Sequence, residues 1–247
     1  MGVERVEGRN PVLEMLKAGR SMKKLVVMRG EGDVVLERIL SLARRRGVPV
    51  EYVDRSVLDH FSTTKRHQGV VAVVQPQSYI SLTKMLAQAE EKDEDPFIVV
   101  LDRVLDPQNL GSILRTADGV GVHGIVIPKK GSARVTPTVH RVSMGASAHV
   151  SVGRENLFTA IKRLREKGIR VIGLDIWGEK EYFDADLRGS LALVVGGEDK
   201  GLSPVIRRKR DEVVRIPMRG CLSSLNVGVA CAIILYEKVR QDRKKRA

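Results

Sequence analysis

The stretch PQNLGSILRTADGVGVHG, residues 107–124, ends in six residues that fit the G-x-G-x-x-G pattern of dinucleotide-binding loops. In such a loop the glycines follow a strand and open a helix, because the helix N-terminus binds the pyrophosphate. Here the glycines follow a helical pattern at 110–118 and precede the strand-like GIVIP at 124–128. Glycine after a helix is an ordinary C-terminal cap. This order argues against a Rossmann-type dehydrogenase and leaves the residues upstream of the glycines as candidates for chemistry.

Two polar residues, Asn109 and Arg115, lie in the otherwise apolar first half of this stretch. Asn109 follows the buried-strand pattern FIVVLD, residues 97–102, at a position where the N-cap of a helix is expected. Arg115 lies beside the apolar stripe of that helix and is predicted to reach the carboxyl edge of the sheet, where open α/β sheets bind ligands. Taken alone, the segment is better explained by a helix cap and a solvated arginine.

Two other segments also deliver polar groups to the end of a predicted strand. LALVVGGEDKGL, residues 191–202, runs into glycines and Glu198, and the glycines allow a ligand to approach the backbone. IPMRGCLSSLNVGVACAIILYE, residues 216–237, presents Ser224 and Asn226 between a strand and a long apolar helix. Three strand ends therefore bring polar groups to one sheet edge, which is a stronger indication of a site than any one segment.

The apolar pattern predicts an α/β protein with two domains and a linker. The first domain, residues 1–75, carries predicted helices at 9–19 (with Asn10 as N-cap), 33–46 and 55–61 and predicted strands at 23–28, 48–53 and 69–74. Residues 76–95 combine a short helix with an acidic run and are followed by Pro96, a composition typical of a linker or domain boundary. From residue 96 to 247, predicted strands at 97–102, 124–128, 149–152, 169–175, 191–197 and 212–218 alternate with predicted helices at 110–118, 137–146, 156–167, 203–209 and 225–240. Such near-continuous Val, Ile and Leu strands indicate a parallel sheet covered on both faces.

The charge of the chain indicates a polyanionic partner. Its 43 Lys and Arg against 30 Asp and Glu give a net charge of +13, which favours RNA or DNA. Aromatic residues make up only 4%, which argues against a module that binds RNA by aromatic stacking. The two cysteines and five scattered histidines form no metal-spaced cluster, so no metal is expected. No apolar run approaches the roughly 20 residues that span a bilayer, and the charged N-terminus is unlike an export signal, so a cytoplasmic protein without a membrane segment is expected.

Read together, PQNLGSILRTAD, LVVGGEDKGLS and IPMRGCLSSLNVGVA resemble the SPOUT-class RNA methyltransferases of the TrmH/SpoU family. The N-terminal GRNPVLEML and HQGVVA are similar to the small RNA-binding domain, of ribosomal-protein-like fold, of 23S rRNA guanosine 2'-O-methyltransferases. Family members that act on tRNA guanosine typically lack that domain, so the length of this chain favours the rRNA branch.

The resemblance implies a C-terminal domain with a deep trefoil knot, an obligate homodimer with its active site near the subunit interface, and S-adenosylmethionine as the cofactor. Seven matching positions are implied to hold the cofactor: Leu174, Gly196, Gly197, Gly201, Ile216, Met218 and Leu225. The family's functional positions match Asn109, Arg115, Glu198, Ser224 and Asn226. The implied reaction is methyl transfer to a ribose 2'-hydroxyl of RNA, most simply a guanosine of 23S rRNA.

Roles for these residues follow as hypotheses. Arg115 would bind the RNA phosphate or the 2'-oxygen, Ser224 and Asn226 would orient the nucleophile, and Asn109 and Glu198 would hold the arginine and its loop. In the N-terminal domain, turns or element ends make Arg9, Asn10, Arg66 and His67 candidates for RNA binding, although a helix cap and surface charges explain them equally well. Two alternatives stay open: a tRNA 2'-O-methyltransferase, and a non-catalytic RNA-binding or ribosome-assembly protein.

Overall fold

Strands and helices alternate over most of the computed structural model, which describes residues 2–30, 32–197, 201–208 and 210–246. The strands are β1 (Glu4–Glu7), β2 (Met22–Met28), β3 (Val50–Val53), β4 (Val70–Val74), β5 (Phe97–Asp102), β6 (Gly124–Pro128), β7 (Val152–Glu155), β8 (Arg170–Leu174), β9 (Lys180–Glu181), β10 (Leu191–Gly196) and β11 (Glu212–Arg215). The helices are α1 (Arg9–Lys17), α2 (Val34–Arg45), α3 (Arg55–Phe61), α4 (Leu82–Glu90), α5 (Pro107–Gly119), α6 (Pro137–Val142), α7 (Leu157–Glu166), α8 (Pro204–Arg207) and α9 (Val227–Arg246).

The contacts divide the chain into two units, Met1–Ser78 with Arg134–His149, and Tyr79–Ala133 with Val150–Ala247. The first unit is built on a four-stranded mixed sheet of order β1-β4-β2-β3, in which only β2 and β3 pair in parallel. β4, with the sequence VVAVV, is buried along its whole length because both faces of the sheet are covered. One face packs against α1 and α2, and the other packs against Leu58 and Phe61 of α3.

The second unit contains a seven-stranded, wholly parallel sheet of order β7-β6-β5-β10-β8-β11-β9. All six residues of β5 and of β10 are buried, which confirms the predicted parallel sheet with two covered faces. In the register, Gly196 at the end of β10 lies opposite Asp102 at the end of β5. The carboxyl ends of β5, β10 and β8 therefore meet at one edge of the sheet.

The short helix expected within residues 76–95 is present as α4. Leu82, Met85 and Leu86 of this helix are buried in the core of the second unit. Met85 packs so closely on β6 that a Cβ at Gly124 would lie 2.4 Å from its sulfur atom. The acidic run that follows the buried part of the helix is exposed.

The glycines of GVGVHG separate a helix from a strand, as predicted. α5 ends at Gly119, Gly121 adopts a left-handed conformation with φ +74°, and β6 begins at Gly124. No glycine of this segment opens a helix.

The helix caps differ from those predicted. α1 follows Gly8, whose φ of +96° favours glycine, and Asn10 lies exposed in the first turn instead of capping it. α5 is capped by Asp106, whose side chain accepts a hydrogen bond from the Gln108 amide at 2.8 Å, and Asn109 lies inside the helix. Asp106 caps α5 in place of Asn109 because Pro107 has a backbone suited to the first helical position, and the cap is the residue directly before that position.

Candidate active site

A cavity of about 340 Å³ lies at the carboxyl ends of β8 and β10, in the second unit. Its wall is made by residues from the ends of these strands, the turn after β8, the loop after β10 and the segment between β11 and α9. All seven positions that the resemblance assigned to the cofactor line it: Leu174, Gly196, Gly197, Gly201, Ile216, Met218 and Leu225. Ser224, from the set of functional positions, lines the same cavity.

The loop after β10 requires glycine at three positions. A Cβ at Gly196 would lie 2.2 Å from the carbonyl carbon of Gly201, and a Cβ at Gly197 would lie 2.7 Å from the carbonyl oxygen of Arg103. Gly201 itself is left-handed, with φ +57°, and its amide donates a hydrogen bond to the Gly197 carbonyl at 3.1 Å. The backbone of this loop therefore lies in direct contact with neighbouring backbone, which leaves bare peptide groups at the cavity wall.

Asp175, the residue after β8, also lines the cavity and was missed in the sequence. Its buried carboxylate accepts hydrogen bonds from the amides of Leu202 (3.0 Å) and Trp177 (3.1 Å) and from the Arg207 guanidinium (2.9 Å). Burial alone would raise the pKa of Asp175, but these hydrogen bonds and the charge of Arg207 together hold that pKa below its usual value. A signal was present, since a charged residue directly follows the apolar strand IRVIGL.

Asp175 acts together with Asp102 at the neighbouring strand end. The Asp102 carboxylate, also buried, accepts a hydrogen bond from the Ser203 amide at 2.8 Å. Two consecutive amides, Leu202 and Ser203, are thus held by carboxylates from two different strands. This arrangement fixes the end of the loop after β10 and, with it, Gly201 at the cavity wall.

Trp177 is the single tryptophan of the chain and lines the cavity although 74% of its surface is exposed. Its turn is held by the bond to Asp175 and by Gly178, where a Cβ would lie 2.4 Å from the backbone of Val214. An exposed aromatic ring on a fixed turn can pack against a ligand in the cavity. Nothing in the motifs pointed to this residue.

Asn226 connects two helices at the start of α9. Its Oδ1 accepts hydrogen bonds from the amides of Gly228 (2.9 Å) and Val229 (3.3 Å), which makes it the cap of that helix. Its Nδ2 donates to Oδ1 of Asn109, in the first turn of α5, at 2.9 Å. Because Oδ1 is engaged by backbone amides, the orientation of the Asn226 side chain is determined.

Arg115 and Glu198 complete the functional positions. Arg115 is exposed on α5, does not line the cavity, and makes no side-chain hydrogen bond or ion pair with the part of the chain that the structure describes. One turn earlier, Ser112 of α5 lies against α9, since a Cβ at Gly228 would be 3.2 Å from its hydroxyl oxygen. Glu198 lies outside the described residues. The structure therefore joins Asn109 to Asn226 and leaves the guanidinium of Arg115 in solvent.

The four residues expected to bind RNA all lie in the first unit. Arg9 donates from Nε to the Gln68 carbonyl at 2.9 Å and pairs with Asp33. His67 is 6% exposed; its Nε2 bonds Asp59 at 2.9 Å and its Nδ1 accepts from the Gly69 amide at 3.0 Å. Arg9 and His67 thus support the loop around them, whereas Asn10 and Arg66 are exposed.

Among residues 2–30, 32–197, 201–208 and 210–246, no three His, Cys, Asp or Glu side chains are grouped so that they could hold a metal ion. No helix in these ranges has both the length and the apolar character needed to cross a membrane.

Two family models match the chain. One describes the SpoU rRNA Methylase family and matches residues 96–236; the other describes RNA 2'-O ribose methyltransferase substrate binding and matches residues 5–80. Among curated relatives, the putative TrmH family tRNA/rRNA methyltransferase YacO of Bacillus subtilis is 40% identical over 237 residues, which cover 96% of this chain and 95% of that protein.

Solved structures of the same kind match the fold over nearly the whole chain. The SpoU methyltransferase AviRb from Streptomyces viridochromogenes, in complex with the cofactor AdoMet, has a TM-score of 0.82 and 30% identity, with 99% of this chain and 92% of that chain covered. The AdoMet-bound rRNA methyltransferase from Sinorhizobium meliloti has a TM-score of 0.80 and 29% identity, with 96% and 87% covered. The chain therefore belongs to the SpoU, or TrmH, family of RNA methyltransferases.

Proposed function

We propose that this protein transfers the methyl group of S-adenosylmethionine to a ribose 2'-hydroxyl of RNA, and that its target is a guanosine of 23S rRNA. The observation that carries the proposal is the cavity at the ends of β8 and β10, because seven positions from three separate sequence segments converge on it. The rRNA target is supported by the family model for rRNA methylases and by the match of residues 5–80 to a substrate-binding model.

The cavity residues fit S-adenosylmethionine. A volume of about 340 Å³ lies within the range of small-molecule sites. Leu174, Ile216 and Leu225 supply apolar walls for an adenine ring, and the side-chain-free backbone at Gly196 and Gly197 offers peptide groups for the polar parts of the cofactor. When bound, the cofactor supplies a methyl group made electrophilic by the sulfonium.

The residues around the cavity would position the 2'-hydroxyl. Ser224 lies in the cavity wall, and Asn226 follows it by two residues in a conformation fixed by its own cap and by Asn109. We assign Ser224 and Asn226 to orienting the hydroxyl and Asn109 to positioning Asn226. Alignment of the attacking oxygen is worth a large share of the barrier in a displacement of this kind.

Arg115 would stabilise the negative charge that develops on the ribose oxygen. A guanidinium is protonated at any physiological pH, so it cannot remove the proton of the hydroxyl. A fixed positive charge near a developing alkoxide lowers the barrier electrostatically. Glu198 keeps its proposed role of holding the arginine and its loop.

A homodimer, and the deep knot that the resemblance implies, belong to the same proposal. Val229 and Tyr236 lie two turns apart on α9 and are 50% and 57% exposed, and Leu222 before the helix is 75% exposed. Such an apolar face is typical of a subunit interface. A second copy packed on α9 would lie close to Arg115, because α5 and α9 pack side by side. Light scattering of the purified protein should give twice the mass of one chain, and Tyr236→Glu should give monomers.

The test is methyl transfer to RNA from cells that lack the gene. Incubation of 23S rRNA and tRNA with labelled S-adenosylmethionine, followed by mapping of 2'-O-methyl sites, should show one methylated guanosine in 23S rRNA. Arg115→Lys should lose at least about tenfold in rate, since lysine has the charge but not the planar fork. Methylation of tRNA alone would overturn the rRNA target, and RNA binding without any methylation would point to a ribosome-assembly role.

A further inference from the structure

Glu7 is a buried carboxylate that holds one surface loop of the first unit. It ends β1 and is only 4% exposed. Its two oxygens accept hydrogen bonds from the Ser62 hydroxyl, the amides of Thr63 and Thr64, and the Thr64 hydroxyl. All four donors belong to the loop that connects α3 to β4.

Other residues of this loop, 62–68, are held by further contacts. The Lys65 amide donates to the Ser62 hydroxyl at 2.8 Å, and the Arg66 amide donates to the Thr64 hydroxyl at 3.3 Å. His67 is clamped between Asp59 and Gly69, and Gln68 receives hydrogen bonds from Arg9 on both its side chain and its carbonyl. Lys65 and Gln68 adopt left-handed conformations, with φ of 57° and 51°, which persist only where surrounding contacts determine them.

The tip of this ordered loop carries two cations. Lys65 and Arg66 are exposed, and neither side chain makes a hydrogen bond or an ion pair within the described residues. Arg44 and Arg45 of α2 are also exposed and make no side-chain bond among the described residues, but they lie on a helix surface and not on a loop that a buried carboxylate holds. Ordering a loop costs conformational entropy, and here the ordered loop presents two positive charges to solvent, of which Lys65 acts on the Asp59 carboxylate through space only.

We propose that Glu7 positions the loop 62–68 so that Lys65 and Arg66 bind the phosphate backbone of the substrate RNA. This inference rests on the proposed function for the identity of the polyanion. It also changes the expected contacts: Arg9 and His67 then hold the loop, and of the four residues expected to bind RNA only Arg66 lies at the tip of the loop. Phosphates are favoured over bases because two neighbouring cations without an aromatic side chain read charge and not sequence.

Replacement of Glu7 by glutamine distinguishes a role in positioning the loop from a purely electrostatic effect, because the two predict opposite changes in RNA affinity. Burial alone would raise the pKa of Glu7, but the hydrogen bonds from residues 62–64 hold it below its usual value, so the group is charged at neutral pH. Glu7→Gln removes one negative charge from the protein, which by itself would strengthen RNA binding. It also replaces one of the two acceptor oxygens by an NH2 group that faces the hydrogen-bond donors of the loop, which would release the loop and weaken RNA binding.

The experiment measures binding of the full-length protein to a 23S rRNA transcript over a series of salt concentrations. We expect Lys65→Ala with Arg66→Ala to weaken binding about tenfold and to flatten the slope of log K against log salt by about 1.5. The matched control is Arg44→Ala with Arg45→Ala, which removes the same charge from exposed, unpaired side chains of α2 among the described residues and should stay within about twofold. Equal losses in the two double variants would overturn the proposal.

Glu7→Gln should weaken binding, whereas unchanged or tighter binding would overturn its role. If this variant does not fold, Thr64→Val gives the same reading, since it removes only the hydroxyl that bonds Glu7 and receives the Arg66 amide. In methylation assays, Glu7→Gln and Thr64→Val should each raise KM for RNA and leave kcat and the affinity for S-adenosylhomocysteine unchanged. A wild-type protein that binds RNA through Lys65 and Arg66 but methylates nothing would refute the proposed function alone; full methylation with intact binding in the double variant would refute the loop alone.

Discussion

Asn226 and Asn109 are joined side chain to side chain by a hydrogen bond of 2.9 Å, although 117 residues separate them in the chain. The bond connects the first turn of α5, which follows β5, to the cap of α9, which follows β11. Asn226 thus has two tasks, since one atom of its amide caps a helix and the other reaches across to a second helix.

Variants of Asn226 should separate these two tasks. Asn226→Ala loses the cap and the bond between helices, so the free energy of unfolding should fall by about 2 kcal/mol. Asn226→Ser retains a cap but cannot reach Asn109, so about half of that loss is expected. Urea unfolding gives the stabilities, and methyl transfer should fall at least about tenfold in both variants if the amide orients the substrate. Full activity in Asn226→Ser would show that the bond to Asn109 has no part in the reaction.

Asp175 should contribute stability that depends on pH. Asp175→Asn weakens hydrogen bonds to a charged acceptor and leaves Arg207 without its counterion, so a loss of about 2 kcal/mol is expected at pH 7. The pKa of Asp175 is lower in the folded protein than in the unfolded chain, so its contribution is complete above the ordinary aspartate range and is lost as the pH falls through the folded value. The difference between wild type and Asp175→Asn in urea unfolding should therefore narrow in acid.

Asp93→Asn is the matched control for this measurement. Asp93 is exposed, has a left-handed φ of 53° that asparagine tolerates, and pairs with no described side chain. Its replacement should change stability by less than about 0.5 kcal/mol at either pH. A difference in unfolding free energy between wild type and Asp175→Asn that stays constant with pH would show that the Asp175 carboxylate is not the cause of the pH dependence.

Gly196→Ala should damage the cavity directly. The added Cβ would lie 2.2 Å from backbone of Gly201, which no side-chain adjustment relieves, so the loop after β10 must move. Calorimetry with S-adenosylhomocysteine should show at least about a tenfold loss of affinity, equivalent to 1.4 kcal/mol. Gly32→Ala, where the new methyl meets open space, should bind as wild type does. Wild-type affinity in Gly196→Ala would place the cofactor elsewhere.

Trp177 should report cofactor binding through its fluorescence. It is the chain's single tryptophan and lines the cavity, so emission should change and saturate at one S-adenosylhomocysteine per chain. Loss of an aromatic contact worth about 0.5–1.5 kcal/mol predicts that Trp177→Ala weakens binding roughly 2- to 10-fold. Gly196→Ala keeps the tryptophan and serves as the control, because its emission should stay constant over the same range. Calorimetric binding to wild type without any change of emission would place Trp177 away from the ligand.

The parallel sheet of the second unit was predictable because its strands are short apolar runs separated by amphipathic helices, a local pattern. The glycines of the G-x-G-x-x-G match could also be assigned from the sequence, since the order of helix, glycines and strand is a local pattern that argues against a dinucleotide-binding loop. Helix caps were predicted less well: Asn109 and Asp106 are both good capping residues, and the signal that favoured Asp106 was Pro107, which suits the first helical position. The short helix expected within 76–95 is α4, but only the packing of the second unit shows that its Leu82 and Met85 are buried.

By itself, the sequence determined the type of sheet in the second unit, the order of its strands apart from the two-residue β9, and three segments whose resemblance indicated a methyltransferase. It also contained the positive charge that calls for a polyanion. Only the tertiary structure decided which distant groups are in contact. These are the hydrogen bond from Asn226 to Asn109, the hydrogen bond from the Leu202 amide to Asp175, and the hydrogen bonds from the loop 62–68 to Glu7. The physical reason is the separation along the chain over which each interaction acts. Periodicity and capping act over a few residues, whereas a hydrogen bond between strand ends or loops depends on a chain path set by the packing of the whole sheet.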